Sequence, residues 1–256
     1  MKTPKDCACE LLVVMPVYNE ETSIRQVVLE WNAEIQRQTH DFRFLVINDG
    51  STDGTRQQLE QLRSEVGSHF EVIHRENRGH GQTCIQGYRL AVERHFLLVF
   101  QLDSDGQCDP RYFGKLWERR DHYDVIYGKR VRRDDGWRRV LASLVLKAVV
   151  FIYGKALCTD PNVPYRLMRT DILPPVLDAI PSDFFLANVA LAVLLKRTGG
   201  IRHGAVPIGF RQRSGGEPKV RFSQFGSRAR QLVKQLRQLD HPIKKPDAPS
   251  GARFAD

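Results

Sequence analysis

The stretch FLLVFQLDSDGQ, residues 96–107, decides the fold because an apolar run ends directly in acidic and glycine-bearing sequence. Residues 96–102 have the length and composition of a strand that is buried on both faces. Three similar runs precede it at 11–15, 42–47 and 70–73, and apolar residues at helical spacing lie between them. This β-α-β-α-β-α-β order predicts an α/β fold with a mostly parallel central sheet flanked by helices.

Each of these four predicted strands ends in polar or glycine-bearing sequence. The four exits are residues 16–20, 48–51, 76–79 and 103–105. The carboxyl ends of parallel strands meet at one edge of a sheet, and ligands of doubly wound sheets bind there. We therefore expect the four exits to form one binding site.

The pair Asp103 and Asp105 predicts a metal site at the fourth exit. Two carboxylates one residue apart can reach the same hard cation, and proteins commonly bind Mg²⁺ with one or two carboxylates plus substrate phosphates. Gln107 can add a neutral oxygen. The alternative interpretation is a solvated acidic turn, and the position at the predicted ligand edge favours the metal site.

Two further segments are candidates for binding a nucleotide. Asp49 can accept hydrogen bonds from a base or ribose, and Gly50 permits close approach of the backbone. The alternative is an Asx-type turn, with Ser51 or Asp53 capping the next helix. The loop at 213–219 carries two cations that can bond to a diphosphate, unless it is only a surface linker.

Composition limits the function classes. The 256 residues are 41% hydrophobic, which indicates a globular protein, and the net charge of +9 is typical either of a protein with an anionic partner or of one with a well-solvated basic surface. No apolar run approaches the ~20 residues that a membrane-spanning helix needs. Five cysteines at irregular spacing favour a reducing, cytoplasmic location. Nucleic acid is not an expected partner, because no aromatic-basic recognition motif accompanies the charge. Walker, GxGxxG and Gly-x-Ser-x-Gly motifs are absent, which argues against P-loop, Rossmann and α/β-hydrolase chemistry.

The motifs at the four exits resemble, in the same order, those of family 2 glycosyltransferases with the GT-A fold. Within that family the chain is most similar to the dolichyl-phosphate mannosyltransferase and polyprenyl-phosphate glycosyltransferase group. Residues of the second half carry this closer resemblance: Gly128-Lys129-Arg130, Arg139 with Ser143, Asp160 with Arg166, and Arg213 to Lys219. Two places depart from the group's pattern, namely residues 162–166 and Pro218.

The resemblance implies a metal-dependent, inverting transfer of a sugar from a GDP- or UDP-linked donor to a polyprenyl phosphate. It implies catalytic roles for Asp103, Asp105 and Arg213. The residues implied to bind the nucleotide-sugar are Pro16, Tyr18, Glu20, Asp49, Gln82, Asp103, Ser104 and Lys219. Those implied to hold Mg²⁺ or Mn²⁺ are Asp103, Asp105 and Gln107, and those implied to hold the acceptor phosphate are Arg130, Arg139 and Ser143.

Two other functions stay open from the residues. A saccharide or other hydroxyl acceptor would require a general base, for which Asp160 and Asp183 are candidates without a defining motif. The lack of a clear base favours a phosphate acceptor, which is already ionised near neutral pH. A nucleotide-sugar-binding protein without turnover is the alternative from another class, and the intact Asp103 and Asp105 argue against it.

The chain is expected to form an N-terminal tail (1–10), one catalytic domain (11–221), a basic amphipathic helix (222–240) and a disordered tail (241–256). Within the domain, 11–107 would bind the nucleotide-sugar and 108–221 the acceptor. The basic helix suits the anionic cytoplasmic face of a membrane. Its apolar side can instead pack on the domain, which would leave membrane access to a partner subunit.

Further elements are expected in the second half. They are helices at 109–123, 138–157 and 186–197, a strand at 124–127, and an edge strand at 201–210 because it carries a proline.

Overall fold

The computed structural model describes residues 9–130, 136–158, 160–184, 186–211 and 225–239. In the helix that begins at Gly136 side chains are described from Leu144 onward, and in the helix that begins at Phe225 they are described from Ala229 onward. The strands are β1 (Leu11–Val17), β2 (Phe42–Asp49), β3 (Phe70–Arg75), β4 (Leu98–Leu102), β5 (Val125–Arg130), β6 (Tyr165–Arg169) and β7 (His203–Ile208). The helices are α1 (Ile24–Gln38), α2 (Thr55–Val66), α3 (His80–Glu93), α4 (Phe113–Trp117), α5 (Gly136–Gly154), α6 (Pro174–Asp178), α7 (Ala187–Arg197) and α8 (Phe225–Gln238).

One seven-stranded sheet runs through the molecule in the order β3-β2-β1-β4-β6-β5-β7. Strands β1 to β4 pair in parallel, as their pattern predicts. Strand β6 lies between β4 and β5 and is antiparallel to both. The predicted fold, a mostly parallel sheet flanked by helices, is confirmed. Strand β7 is at the sheet edge, as expected for a strand that carries Pro207.

Both faces of the sheet are covered, which explains why β1 is an unbroken apolar run that is buried at all seven positions. On one face, Trp31 of α1 lies against Phe100 of β4, with ring centroids 5.4 Å apart. On the other, α3 comes so close to β1 that a Cβ on Gly87 would lie 2.2 Å from Val14 Cγ1. Helices α6, α7 and α8 add buried residues to the core on this second face.

Several boundaries differ from the predicted ones. Helix α4 ends at Trp117, well before residue 123. Helix α5 begins at Gly136 and ends at Gly154, three residues earlier than expected, and Lys155 follows with a φ of 46°. The sequence analysis did not anticipate β6. The predicted tails lie largely outside the described residues. Within the part of the chain that is described, no helix is both long and apolar enough to cross a membrane.

Candidate active site

The four strand exits border one cleft of about 630 Å³ at the carboxyl edge of the parallel strands. Seven residues that the sequence assigned to nucleotide-sugar or metal binding line it: Pro16, Tyr18, Glu20, Asp49, Asp103, Ser104 and Asp105. Asn77, Thr83 and Asn162 complete much of the remaining wall. The expectation that the exits meet at one site agrees with this geometry.

Asp49 holds the second and third exits together. Its side chain is 3% exposed, and Oδ1 accepts hydrogen bonds from Arg75 Nε at 2.8 Å and from the Arg78 backbone nitrogen at 3.0 Å. Oδ2 accepts from the Gly79 backbone nitrogen at 2.8 Å. These bonds use much of the carboxylate's capacity, so Asp49 shapes the cleft wall by fixing the loop at 76–79.

Close packing between these two exits requires a glycine at position 50. Gly50 has a φ of +72°, in the left-handed region, and a Cβ there would lie 2.6 Å from the backbone nitrogen of Asn77. The Asx-type turn at this exit is made by Asn48, whose Oδ1 accepts from the Ser51 backbone nitrogen at 3.1 Å. The Asx-type turn that the sequence offered as the alternative for residues 48–51 is thus present, with Asn48 as the acceptor.

Asp103 lies at the floor of the cleft with its side chain 27% exposed. Gln101 Nε2 donates a hydrogen bond to Asp103 Oδ1 at 3.1 Å. Desolvation raises the pKa of Asp103 to about 6, against the opposing charges of His80 and Arg130 and with added repulsion from Asp105. A carboxylate in this setting is stabilised by any cation that enters beside it.

A buried polar network lies behind Asp103. The Tyr88 hydroxyl is 3.3 Å from Gln101 Oε1 and 3.0 Å from Asn188 Oδ1 on α7. Burial raises the pKa of Tyr88 well above its ordinary value, so the phenol stays a neutral donor. The network connects Gln101, which bonds Asp103, to helices α3 and α7.

Asp105 is the second carboxylate of the cleft floor, and its Oδ1 accepts from the Gln107 backbone nitrogen at 3.1 Å. Gln107 is not among the described residues that line the cleft, so a role for its side chain as third ligand stays a prediction. No group of three or more histidine, cysteine, aspartate or glutamate side chains forms a metal cage within the described residues. Two carboxylates still fit a hard cation whose remaining ligands come from a phosphate substrate and water.

A second cavity of about 390 Å³ adjoins the cleft, and Gly79, His80 and Asn162 line both. Gln82 lines this second cavity, and its predicted contact with the nucleotide-sugar stays a prediction. His80, to which the sequence analysis assigned no role, begins α3 with Nε2 3.5 Å from Asp103 Oδ1. Its position one residue after the third exit was the available signal.

Arg166 is a fully buried cation on β6, beside Gln101 in the sheet register. Its guanidinium donates to the backbone oxygens of Pro161 and Asn188 at 3.3 Å and of Val163 at 3.1 Å. Within the described part of the chain, no carboxylate lies at ion-pair distance from it. Arg166 therefore anchors the segment that carries Asn162 into the cleft.

The predicted acceptor and closing residues are only partly described. Arg130, at the end of β5, pairs with Asp160 at 3.1 Å, and its guanidinium carbon lies 4.4 Å above the centre of the Phe210 ring. Arg139 and Ser143 lie in α5, where their side chains are outside the description. Arg213 and Lys219 lie outside the described residues altogether. Asp183, one candidate base, lines the second cavity.

Residues 12–182, two thirds of the chain, match the family described as Glycosyl transferase family 2. The chain belongs to this family. Membership confirms the resemblance that the four exit motifs carry and the enzyme class, a glycosyltransferase.

Similar family 2 proteins include two undecaprenyl-phosphate 4-deoxy-4-formamido-L-arabinose transferases. The protein from Enterobacter sp. (strain 638) is 28% identical over 216 residues, which cover 83% of this chain and 63% of the relative. The protein from Proteus mirabilis (strain HI4320) is 26% identical, over 82% of this chain and 62% of the relative. The chain thus spans just under two thirds of the length of these relatives.

Solved structures of similar fold include glucosyl-3-phosphoglycerate synthase from Mycobacterium tuberculosis in complex with Mn²⁺, UDP and glucosyl-3-phosphoglycerate. The TM-score is 0.64 at 19% identity, over 92% of this chain and 81% of that chain. Residues 1–349 of TarS from S. aureus give a TM-score of 0.52 at 21% identity, over 78% of this chain and 59% of that one. At such identities the likeness concerns the fold, which is the GT-A fold.

Proposed function

We propose that this family 2 glycosyltransferase moves a sugar, with inversion, from a GDP- or UDP-linked donor to a polyprenyl phosphate, with Mg²⁺ or Mn²⁺ as cofactor. The observation that carries the proposal is the pair Asp103 and Asp105 on the floor of a cleft built by four strand exits. The printed names of the two similar relatives, both undecaprenyl-phosphate transferases, support the acceptor class.

The donor would lie along the parallel strand exits. Pro16, Tyr18 and Glu20 would border its nucleoside, and Asp49 would keep the loop at 76–79 in place beside it. Asp103 and Asp105 would hold the divalent cation against the diphosphate, with Ser104 between them. The bound cation would neutralise the charge that develops on the leaving nucleoside diphosphate. Arg213 and Lys219 would add positive charge on the open side.

The chemistry needs few protein groups when the acceptor is a phosphate. A phosphate oxygen of the acceptor attacks the anomeric carbon, the bond from that carbon to the donor's diphosphate oxygen breaks, and the configuration inverts. The acceptor is already ionised near neutral pH, so no strong base is required. The ion pair of Asp160 with Arg130 supports this assignment, because it gives that carboxylate another role.

The acceptor phosphate would be held by Arg130, Arg139 and Ser143. Arg130 comes from β5, and α5, which carries the other two, is the next element along the chain. Guanidinium groups bind phosphate oxygens with two parallel hydrogen bonds, which suits this role. The enzyme would work at the cytoplasmic face of a membrane, where a lipid-linked phosphate is accessible, either directly or with a membrane partner subunit.

The proposal is tested by incubating the purified chain with GDP- and UDP-sugars, Mn²⁺ and a short-chain polyprenyl phosphate, followed by mass analysis. We expect one donor to give a glycosyl polyprenyl phosphate, and removal of the metal with a chelator to stop its formation. Saccharide acceptors are included in parallel. Transfer to a saccharide with no transfer to any lipid phosphate would overturn the acceptor assignment, and donor binding without any turnover would overturn catalysis.

A further inference from the structure

Helix α5 presents an apolar stripe to solvent. The exposed fractions are 56% for Leu144, 60% for Phe151 and 61% for Ile152, and Ala148 between them is also exposed. At about 100° per residue, these four positions fall within roughly one third of the helix circumference. Aromatic and branched aliphatic side chains rarely cluster in this way on a surface that faces only water.

The opposite face of α5 is already packed, so the stripe does not belong to the core. Val150 is fully buried, and a Cβ on Gly154 would lie 3.2 Å from Val193 on α7. Leu146, Val149 and Tyr153 are partly buried against the same core. The helix therefore has two apolar sides, of which one is used by the fold.

Helix α8 differs from α5 in this respect. Its Leu232 and Leu236 are 4% and 0% exposed, and Leu239 just after it is 3% exposed. Arg237 of α8 extends over the Tyr153 ring of α5, with its guanidinium carbon 5.0 Å from the ring centre. From residue 229 onward, the part of α8 whose side chains are described, its leucines are thus covered by the protein. This part agrees with the interpretation in which the basic C-terminal helix packs on the domain.

Cations border the exposed stripe. Lys147 lies beside it on the helix, and the exposed Lys155 follows the last turn. From residue 136 to residue 157 the sequence contains no aspartate or glutamate. An apolar stripe flanked by lysines and free of acids is complementary to a layer of anionic headgroups above acyl chains.

The stripe also leads toward the cleft. Leu157, three residues past the end of α5, is 80% exposed. The chain then reaches Asp160, which pairs with Arg130, and Asn162, which lines both cavities. The chain therefore connects α5, within a few residues, to Asp160, the partner of the proposed phosphate ligand Arg130.

We infer that α5 docks on the surface of an anionic lipid bilayer, with Phe151 and Ile152 inserted at the headgroup boundary. The membrane-binding element is α5, and α8 supports it from the protein side. The inference deepens the proposed function, since it explains how a chain acting on a lipid-linked phosphate reaches its acceptor. It does not depend on turnover and can be tested without substrate.

The test is flotation of the full chain with phosphatidylcholine vesicles, with and without phosphatidylglycerol. Wild type is expected to float with the anionic vesicles, less so at high salt. The double substitution Phe151→Asp with Ile152→Asp is expected to reduce the floated fraction roughly tenfold or more, because two buried apolar side chains are lost from the interface. Both residues are exposed, so the unfolding temperature should not change.

Leu97→Asp is the matched control. Leu97 is 45% exposed and directly precedes β4, at the amino-terminal end of that strand, whereas the cleft lies at the carboxyl ends. This variant should therefore float like wild type. Equal flotation of wild type and the double variant, or no flotation of wild type, would overturn the inference. A self-association that the double variant abolishes, without flotation of wild type, would assign the stripe to a second copy instead.

Failure of the docking inference can be distinguished from failure of the proposed function. Transfer to a short-chain polyprenyl phosphate without vesicle binding leaves the proposed function intact and removes the docking inference. Vesicle binding through α5 without transfer to any lipid phosphate leaves the docking intact and removes the proposed acceptor.

Discussion

Residues 11–107 and residues 108–239 contribute to one sheet in different ways. In the first region, strands and helices alternate, all four strands are parallel, and every strand exit lines the cleft. In the second region, β6 runs antiparallel between β4 and β5, and the cleft receives Asn162 from the loop before it. The first region carries most of the polar groups of the candidate site, and the second carries the supports behind them.

The two regions position their site residues by different means. Parallel strands joined by helices bring their exits to one edge automatically, so a local pattern is enough to predict a site there. In the second region, Asn162 and Asn188 are held by tertiary contacts, with the buried Arg166 of that region and with Tyr88 of the first region. Substitutions of cleft residues in the first region should therefore reduce chemistry, and substitutions of buried supports in the second, such as Arg166, should reduce stability.

The largest effect is expected for Asp105→Asn. Loss of one of two hard oxygen ligands weakens cation binding and the stabilisation of the leaving diphosphate. We expect kcat for transfer to fall roughly a hundred- to a thousand-fold, the scale of removing one transition-state electrostatic contact. The unfolding temperature should stay close to that of wild type. The measurement is the steady-state rate at saturating Mn²⁺.

Asp121→Asn is the control, since Asp121 is an exposed carboxylate of the second region, in the turn after α4. It should leave kcat unchanged. A folded Asp105→Asn enzyme with a near-normal rate would contradict the claim that the first region supplies the metal ligands needed for chemistry.

An intermediate effect is expected for Arg166→Met, which tests the second region. Three backbone oxygens lose their donor, at about 1–3 kcal/mol for each group left unpaired, while removal of a buried charge recovers part of that cost. We expect the free energy of unfolding to fall by about 2–4 kcal/mol. Urea unfolding measures it.

Arg166→Lys sharpens this test because it keeps the charge and loses the planar donor set. It should be destabilised as well. A methionine variant as stable as wild type would show that the guanidinium does not hold the segment around Asn162.

How much of the fold and of the candidate site could be predicted from the sequence also differs between the two regions. The order of apolar runs was enough for β1 to β4 and for the convergence of Asp49, Asp103 and Asp105 at one edge. Strand β6 was missed because YRLMR has a charged residue in a central strand, and only the carbonyl oxygens around Arg166 make its burial possible. His80 was missed because its position one residue after the third exit does not by itself reveal the 3.5 Å approach of its ring to Asp103.

Helices α5 and α8 show the same limit of prediction from sequence. The spacing of apolar residues marks α8 as amphipathic, and it does not say what its apolar side contacts. In the described part of α8 its leucines are buried, and α5 has an exposed apolar stripe between Leu144 and Ile152. Burial of one helix face is a tertiary property, which a period of 3.6 residues cannot supply.

The smallest expected effect is a change in the free energy of unfolding with pH. His203 on β7 is stacked on the Tyr127 ring, with centroids 6.0 Å apart, and burial lowers its pKa to about 4. Between this value and the ordinary value near 6.5 the unfolded chain binds more protons, so stability should fall as the pH drops through that window. From about pH 7 to about pH 5, the expected loss from this group is about 1–2 kcal/mol.

Comparison with His203→Gln isolates this contribution from that of the carboxylates. The variant should lose less stability than wild type over the same pH range in urea unfolding. Identical pH profiles would show that the second region does not bury a neutral histidine.

The most direct test of the central claim is calorimetric titration of UDP and GDP into the full chain, with and without Mn²⁺. The claim is that the cleft of the first region binds a nucleoside diphosphate through a cation held by Asp103 and Asp105. The account predicts one nucleotide bound per chain in the presence of Mn²⁺. It also predicts that the Asp103→Asn, Asp105→Asn double variant, folded as judged by its unfolding temperature, loses this metal-dependent binding. Equal binding by wild type and the double variant, whether or not Mn²⁺ is present, would contradict it.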